Sequence, residues 1–266
     1  MINFQILPYQ LFEQYKAQLT VALENVYALE STVTFTPDVF GFYSSIASVF
    51  SSKIEGENIE LDSYLKHKFF KTKYLPDYTR RTDDLFSAYS FAKDNPLNFE
   101  NVLQTHKLLS KHLLAASHRG RVRTQVELIL NQEGNIEYVC APPNIVKEET
   151  NKFFNDIQLL LNQTLTIEEV FFYAALIHLV FVKIHPFADG NGRTSRLLEK
   201  WFLAEKIGEK AWLIPSEKYY YEQLSAYYKN VHIGFEYESI DYKRAIPFLL
   251  MLPNAVFKND EKLNVM

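Results

Sequence analysis

Apolar residues recur every three or four positions along most of the chain, which is the period of a helix with one buried face. The pattern predicts an amphipathic helix within residues 1–30 and a second helix that begins at Pro37-Asp38 and ends at Gly56. The same period predicts further helices over residues 62–70, 82–93, 99–114, 146–161, 166–181, 191–206, 217–230 and 241–252. From residue 254 onward we expect a frayed tail.

One segment departs from this period. Residues 125–130 and 136–140 are rich in β-branched and aromatic residues and flank the polar turn Gln132-Glu-Gly-Asn135, so they are expected to form a β-hairpin. Pro142 and Pro143 then end the second strand, because proline lacks the N–H that a strand ladder needs. The predicted fold is therefore all-α, a helical bundle with one short β-hairpin.

Composition excludes several classes of protein. Of the 266 residues, 47% are hydrophobic and 23% are charged, which is typical of a globular chain and argues against disorder. The net charge of −4 argues against a nucleic-acid binder and against binding to an anionic membrane. Cys140 is the only cysteine, so an intrachain disulfide and a multi-cysteine zinc site are excluded, and a reducing, cytoplasmic location is expected.

Neither the start of the chain nor its longest apolar run has the features of a targeting or membrane element. Residues 1–10 have neither a basic region nor a long apolar region, so no secretory signal is expected. The longest apolar run, residues 170–182, is interrupted by His178 and is shorter than the roughly 20 residues of a membrane-spanning helix. It is expected to be a buried core helix.

Residue types that support chemistry are concentrated in one stretch, His185-Pro-Phe-Ala-Asp-Gly-Asn-Gly-Arg-Thr-Ser-Arg196. Gly190 and Gly192 flank Asn191 immediately before a helical pattern. Glycine permits positive φ and close approach of the backbone N–H groups, and the start of a helix adds partial positive charge. These features predict an anion-binding nest of the kind that holds phosphates.

Four side chains of the same stretch complete a site for phosphorus chemistry. Arg193 and Arg196 are three residues apart, so they share one helix face and can both bind phosphate oxygens. Asp189 supplies a hard oxygen ligand that suits Mg²⁺ carried by a nucleotide, and His185 is a candidate general base. Taken singly, each residue also has a purely structural interpretation, and only the combination indicates group transfer from a nucleotide.

This stretch resembles the motif of the Fic family, His-Pro-Phe-x-Asp-Gly-Asn-Gly-Arg-x-x-Arg, and every fixed position matches. The resemblance extends, more weakly, from about Ser51 to about Leu224. It implies a Fic fold and the activity of a protein adenylyltransferase. Such an enzyme transfers AMP from ATP to a Ser, Thr or Tyr hydroxyl of a target protein, or of itself, and releases pyrophosphate.

The resemblance also implies a role for each residue of the motif. His185, Asp189 and Arg193 would be catalytic, with His185 as the base and Asp189 as the ligand of Mg²⁺ or Mn²⁺. ATP would be the co-substrate, with its γ-phosphate on Arg196. Its α- and β-phosphates would be held by Gly190, Asn191, Gly192 and Arg193.

Two further segments are similar to parts of the family's active site. Residues 120–143 resemble the flap, which is implied to pair with the backbone of a target protein by adding a strand. The alternative is an ordinary hairpin that covers the core. Tyr220 and Tyr221 resemble a pair near the adenine, although in a chain with 17 tyrosines they are also explained by helix packing.

The stretch Ser51-Ser-Lys-Ile-Glu55-Gly56 resembles the family's inhibitory pattern, Ser/Thr-x-x-x-Glu-Gly/Asn. Ser51 and Glu55 share one helical face, and Gly56 can end the helix so that the carboxylate lies at its tip. The resemblance implies that Glu55 pairs with Arg196 in place of the γ-phosphate, so that bound ATP is misaligned for transfer. The alternative is a surface helix end. Glu57 is a second candidate partner for the same arginine.

These elements predict three parts: an N-terminal helical lobe, 1–95, with the inhibitory helix ending near 56; a Fic catalytic core, 96–235, with the flap hairpin 125–140; and a C-terminal helix and tail, 236–266.

Expected partners are ATP and a target protein with an acceptor hydroxyl. A homodimer is also considered, and neither nucleic acid nor a membrane is expected. Three alternatives stay open, namely removal of AMP from a modified protein, transfer of another phosphate-containing group, and a nucleotide-binding regulatory module without catalysis.

Overall fold

Helix α7, Ile167–Ile184, lies at the centre of the fold and is buried along almost its whole length. The computed structural model describes residues 4–23, 34–131 and 133–257. The sequence of α7 is apolar on all faces, which is typical of a helix surrounded by other elements. A capping box closes its first turn, in which Thr166 and Glu169 each accept a hydrogen bond from the other's backbone N–H. Helix α8, Asn191–Ile207, packs along α7.

The remaining helices pack around this pair. Their bounds are α1 Phe12–Gln18, α2 Pro37–Ile54, α3 Leu61–Phe70, α4 Pro76–Lys93, α5 Phe99–Leu109, α6 Val146–Leu161, α9 Ser216–Glu222, α10 Leu224–Val231, α11 Ile246–Leu249 and α12 Met251–Phe257. Short 3₁₀ helices cover Tyr9–Leu11, Glu209–Leu213, Tyr237–Ser239 and Tyr242–Arg244. The mostly helical architecture with one small sheet confirms the predicted fold class. Among the described residues, no helix is long and apolar enough to cross a bilayer.

The predicted hairpin is present, with shorter strands than expected. Strands β1, Leu128–Leu130, and β2, Ile136–Val139, pair antiparallel, with Ile129 opposite Tyr138. A register shift follows Ile129, and the irregular pairing limits the ladder to fewer residues than the apolar pattern covers. The Tyr138 hydroxyl donates to the carbonyl oxygen of Lys183 at 2.8 Å and thereby fixes β2 to the last turn of α7.

Two predicted helices are broken. The predicted helix over 217–230 is α9 and α10, with Gln223 between them at φ −112° and ψ 34°. Tyr220 and Tyr227 are both buried, so the apolar period continues across the break and does not reveal it. The predicted helix over 241–252 is a 3₁₀ turn followed by α11 and α12, whose first turns contain Pro247 and Pro253, where the missing N–H is tolerated.

The ends of other elements also differ from the prediction. Helix α4 begins six residues before the predicted start at 82, and α5 ends before 114. Helix α1 ends where Leu19 becomes extended, and residues 24–30 of that prediction lie outside the described residues. Residues 254–257 of the predicted tail are helical in α12, and residues 258–266 lie outside the described part. The division into three parts stays a prediction.

Helix α2 brings its C-terminal end to the loop between α7 and α8. Thr36 caps its start by accepting the N–H of Val39 at 3.2 Å, and Pro37 occupies the first turn. After Ile54 the chain turns at Gly56, whose φ of +82° a side chain would rarely adopt. Small side chains on its buried face allow close packing against the core; they are Ser44, Ser45, Ala47, Ser48, Ser51 and Ser52.

Candidate active site

The loop between α7 and α8 is held in one shape by side chains on both sides. The Asn191 amide accepts the N–H of Phe187 at 2.9 Å and donates to the carbonyl of Phe187 at 2.7 Å. The ring of His106 stacks on Phe187 with centroids 3.7 Å apart. Because Gly120 N–H donates to His106 Nδ1 at 2.9 Å, Nε2 carries the proton and donates to the Asp189 carbonyl at 2.9 Å. The Asn191 side chain was predicted to bind nucleotide. In the structure both polar atoms of its amide hydrogen-bond to the backbone of Phe187 and hold the loop in shape.

Both glycines of the motif lie close to side chains of other helices. Gly190 has φ +78°, and a Cβ there would lie 2.9 Å from Leu109 Cδ1. Gly192 lies in the first turn of α8, where a Cβ would clash with the carboxylate of Glu55. The positive φ at Gly190 favours glycine, and the missing side chain at Gly192 allows the close approach of an anionic group. The structure thus places a carboxylate against the predicted phosphate nest.

His185 follows the last residue of α7 in a left-handed conformation, φ +54°. Its Nδ1 lies 3.2 Å from the carbonyl oxygen of Val182, so the favoured tautomer donates from Nδ1 and leaves Nε2 able to accept a proton. Burial lowers the pKa of His185 to about 4, although the contact with Val182 opposes the shift. The ring is therefore neutral at pH 7, as a general base must be.

Arg123 fixes the backbone at His185. Its Nε donates to the His185 carbonyl at 2.7 Å and its Nη1 donates to the Gln125 carbonyl at 2.6 Å. The same guanidinium also donates to the carbonyl of Ala141. One buried side chain therefore ties the candidate base to both ends of the flap, and the flap is set at a fixed position beside the base.

Asp189 lies exposed in the loop, and one carboxylate oxygen accepts the N–H of Gly190 at 2.6 Å. Among the described residues, no group of three or more His, Cys, Asp or Glu side chains could hold a metal ion. A single carboxylate beside a phosphate site matches the way Mg²⁺ binds with a nucleotide, since that ion keeps several waters and phosphate oxygens as ligands. The donor set at Asp189 therefore fits a nucleotide-borne Mg²⁺ and does not fit a fully protein-bound metal.

Arg196 is 1% exposed and directs its guanidinium at the end of α2. Nη2 donates to Glu55 Oε1 at 2.6 Å, and Nε donates to Ser51 Oγ at 2.9 Å. From the other side Nη1 donates to the hydroxyl of Tyr227 at 3.2 Å, and that hydroxyl lies 3.0 Å from Nε2 of His178. Of the three residues expected to form the inhibitory pattern, Ser51 and Glu55 contact Arg196 directly. Gly56 does not contact the arginine; it forms the turn that follows the helix.

Glu57 contacts a different arginine from the one expected. Its Oε1 accepts from Arg193 Nη2 at 3.2 Å and from Arg81 Nη1 at 2.7 Å, whereas Arg196 is bound by Glu55. The expectation that Glu57 competes for Arg196 is therefore wrong, because the turn at Gly56 directs the two carboxylates to different arginines. Two carboxylates of one short segment occupy both arginines of the motif.

The charges around Glu55 stabilise its ionised form. Burial alone would raise the pKa of this carboxyl, but Arg196 and Arg193 hold it below its usual value. Burial likewise opposes the charge on Arg196, yet Tyr227 and Glu55 keep its pKa raised. The pair is consequently charged on both sides at neutral pH. Arg193 is satisfied less completely, because its buried Nε has no hydrogen-bond partner.

A cavity of about 440 Å³ lies between the flap, the end of α7 and helix α10. Its apolar and aromatic walls suit a base or side chain, and its polar groups include the candidate base and Arg196. The lining residues are Glu55, Ile129, Leu130, Asn131, Glu137, Tyr138, Val182, Lys183, His185, Gly192, Arg196, Tyr227, Tyr228, Val231 and His232.

The two tyrosines predicted to lie near the adenine are not among the residues that line this cavity. Tyr220 is completely buried and donates to Glu199 Oε2 at 2.8 Å, so a ligand can reach it only after the core repacks. Tyr221 lies against Phe50 with ring centroids 5.5 Å apart. Tyr227 and Tyr228 of the next helix line the cavity instead. The sequence has five tyrosines between residues 219 and 228, and their spacing does not show which of them line the cavity.

Part of the chain is similar in sequence to known proteins. Residues 96–203 match the model of the Fic/DOC family. A stretch of 52 residues is 52% identical to proteins named protein adenylyltransferase Fic from Drosophila virilis and Drosophila melanogaster, and covers 18% of this chain. The match covers about 10% of the length of these curated relatives.

Solved structures share the fold over nearly the whole chain. A Fic family protein from Desulfovibrio desulfuricans has a TM-score of 0.71 and 19% identity, and the match covers 99% of this chain and 75% of that protein. A Fic domain containing signaling protein from Bacteroides thetaiotaomicron has a TM-score of 0.65 and 18% identity, covering 94% and 92%. The chain therefore has the Fic fold. The part of the chain that matches the family model, residues 96–203, contains the stretch 185–196 from which the resemblance was inferred.

Proposed function

We propose that this chain transfers AMP from ATP to a Ser, Thr or Tyr hydroxyl of a target protein, and to a hydroxyl of its own. The observation that carries the proposal is the placement of His185. Its ring lines the cavity, its Nδ1 lies against the Val182 carbonyl, and its Nε2 has no partner among the described residues. The curated relatives named as adenylyltransferases support the same chemistry, since they are 52% identical to this chain over 52 residues.

The proposed reaction is an in-line displacement. His185 Nε2 removes the proton of the acceptor hydroxyl, and the hydroxyl oxygen forms a bond to the α-phosphorus of ATP. The bond between that phosphorus and the oxygen of the leaving pyrophosphate breaks, and pyrophosphate departs. A positioned base of this kind contributes about 10²–10⁴-fold to the rate.

The polyphosphate is expected to bind along the start of α8. Arg193 has a buried Nε without a partner, so a phosphate oxygen would satisfy a donor that is otherwise unpaired. Mg²⁺ held by Asp189 would neutralise the negative charge that develops on the departing phosphates. Gly192 would let the phosphates approach the helix backbone as closely as the Glu55 carboxylate does now.

We further propose that residues 55–57 inhibit the enzyme through two contacts. Glu55 occupies the guanidinium of Arg196, and Glu57 occupies that of Arg193. A polyphosphate has to displace both carboxylates to bind the two arginines together. The end of α2 therefore competes with the phosphates for binding, whereas the base keeps its position.

Substitution of Glu57 by glutamine is expected to raise AMP transfer severalfold. The amide keeps the shape of the side chain but removes the charge that Arg193 and Arg81 now share. The measurement is the rate of label transfer from α-labelled ATP. The control is Arg81→Gln, which loses only the outer partner of Glu57 and so is expected to have a smaller effect. An unchanged rate in Glu57→Gln would restrict inhibition to Glu55.

Removal of AMP from a modified protein is the second candidate. The observation that favours it is the position of Glu55, whose carboxylate lines the same cavity as His185. A carboxylate in that place can orient a water molecule toward a phosphodiester. Under this alternative, Glu55→Gly loses the activity, whereas under the main proposal it gains activity.

The identity of the transferred group is tested with Glu55→Gly and ATP labelled at the α- or the γ-phosphate. AMP transfer predicts protein-bound label from α-labelled ATP only, and no label in the variant that also carries His185→Ala. Label from γ-labelled ATP would show phosphoryl transfer. Absence of label from both donors, in Mg²⁺ and in Mn²⁺, would contradict AMP transfer to the chain itself.

A further inference from the structure

Lys183 is a buried lysine in the wall of the active-site cavity that neither the motif nor the mechanism uses. It lies in the last turn of α7, two residues before His185, and is 2% exposed. Its ammonium rests on the ring of Tyr138 in strand β2, 4.2 Å from the ring centroid. Its own carbonyl accepts the Tyr138 hydroxyl, so the side chain is enclosed between the helix and the flap.

The ammonium of Lys183 lacks a carboxylate partner. Among the described residues, no hydrogen bond or ion pair involves its Nζ, and Glu137 acts on it only as a more distant charge. A lysine that is 2% exposed keeps little of its hydration, and the ring of Tyr138 replaces only part of what is lost. Burial accordingly lowers the pKa of Lys183 to about 8. An anion that enters the cavity would therefore stabilise the Lys183 ammonium.

Lys183 lies apart from the arginines that face the phosphates. The Arg196 guanidinium pairs with Glu55 at 2.6 Å, whereas the Lys183 ammonium rests on Tyr138 of the flap. The arginines project from α8, and Lys183 projects from α7 beneath the flap. His185 lines the same cavity, and Arg123 ties its backbone to the flap. The anion for Lys183 therefore belongs on the flap side of the base.

We propose that Lys183 determines acceptor specificity by binding a carboxylate of the target protein next to the hydroxyl that reacts. The proposal rests on the proposed function and on the expectation that the flap, residues 120–143, pairs with the backbone of the target protein. An acidic residue beside the acceptor hydroxyl would pair with the ammonium inside the cavity. Targets with a neutral neighbour would leave that cation unpaired and bind more weakly.

The experiment measures the pKa of Lys183 directly on the full chain. Lysine side chains are labelled with ¹³C at Cε, and the Lys183 signal is identified by its loss in Lys183→Met. The protein is titrated with the peptide Glu-Glu-Tyr-Glu-Glu, with its neutral counterpart Gln-Gln-Tyr-Gln-Gln, and with ATP. The dissociation constant of each probe is measured in parallel for the unchanged chain, for Lys183→Met and for Lys147→Met, a matched change at an exposed lysine.

The acidic peptide is expected to raise the pKa of Lys183 by at least one unit and to bind at least tenfold more weakly to Lys183→Met. The neutral peptide and ATP should leave the signal unchanged, and Lys147→Met should bind every probe as the unchanged chain does. A shift produced by ATP would place Lys183 in the nucleotide site and overturn the proposal. A signal that no probe moves would also overturn it and would assign Lys183 to packing on Tyr138.

These titrations involve binding alone, so their outcome is separate from that of the labelling experiment. If the peptide result holds and no AMP transfer is found, the proposed reaction fails and the anion site stands. If AMP transfer is found and the peptide result fails, the reaction stands and the specificity assignment falls. A melting temperature of Lys183→Met within a few degrees of that of the unchanged chain ensures that lost binding is not unfolding.

Discussion

Substitution of His185 by alanine is expected to lower the rate of AMP transfer about 10²–10⁴-fold, the usual contribution of a positioned base. Binding of ATP should change by less than about threefold, because the phosphates are expected to bind Arg193 and Arg196 and not the imidazole. The measurement compares label transfer at saturating ATP with a dissociation constant determined separately. A large loss of ATP affinity with an intact turnover number would contradict the assigned role.

The backbone at His185 requires a control variant. Its φ of +54° is unfavourable for alanine, whereas asparagine adopts this region more readily than most residues. His185→Asn therefore keeps the turn but lacks a side chain able to accept the proton. Both variants should lose transfer to a similar extent. A loss confined to His185→Ala would show that the turn, and not the base, had been disturbed.

The pH dependence follows from the same groups. Burial lowers the pKa of His185 to about 4, so transfer should be independent of the state of this ring from about pH 6 to 8 and fall as pH approaches that value. Glu55 has a lowered pKa, so its contact with Arg196 is present above that value and is lost only as pH falls through it. Inhibition and catalysis therefore persist over the same range, and mild acid is not expected to activate the enzyme.

The apolar pattern of the sequence predicted the bounds of a helix best where the helix buries a single face. Helix α6 was expected over 146–161 and is found there, because each turn contributes to a single buried stripe. The pattern failed where two short helices bury the same side, as at Gln223, since hydrophobic period records burial and not backbone continuity. Local propensity in the hairpin likewise could not show the register shift after Ile129.

The part of the candidate site that lies in one continuous stretch of sequence could be predicted. His185, Asp189, Gly190, Gly192 and the two arginines are brought together by a loop and one helix turn, which local spacing describes well. The contact of Glu57 with Arg193 depends on how α2 docks, and neither residue reveals it alone. Lys183 was also missed, because an isolated lysine in an apolar helix gives no local signal of a cavity.

Substitution of Glu55 by glycine is expected to raise AMP transfer at least tenfold. Its carboxylate binds Arg196 at 2.6 Å, and a charge-assisted hydrogen bond contributes about 1.5–3 kcal/mol, which corresponds to roughly ten- to a hundredfold. Removal of the side chain leaves Arg196 held by Ser51 and Tyr227, so the guanidinium stays in place for a phosphate. The measurement is the initial rate of label transfer from α-labelled ATP.

A graded pair of variants separates charge from shape at the same position. Glu55→Gln keeps the volume that faces Gly192 but removes the charge, so its activation should lie between those of the unchanged chain and Glu55→Gly. Combination of Glu55→Gly with Glu57→Gln should exceed either change alone, because each carboxylate occupies a different arginine. Equal activation by Glu55→Gly and by the double variant would show that Arg193 is freed without loss of Glu57. Reduced transfer in Glu55→Gly would show that its carboxylate takes part in the reaction, as AMP removal requires.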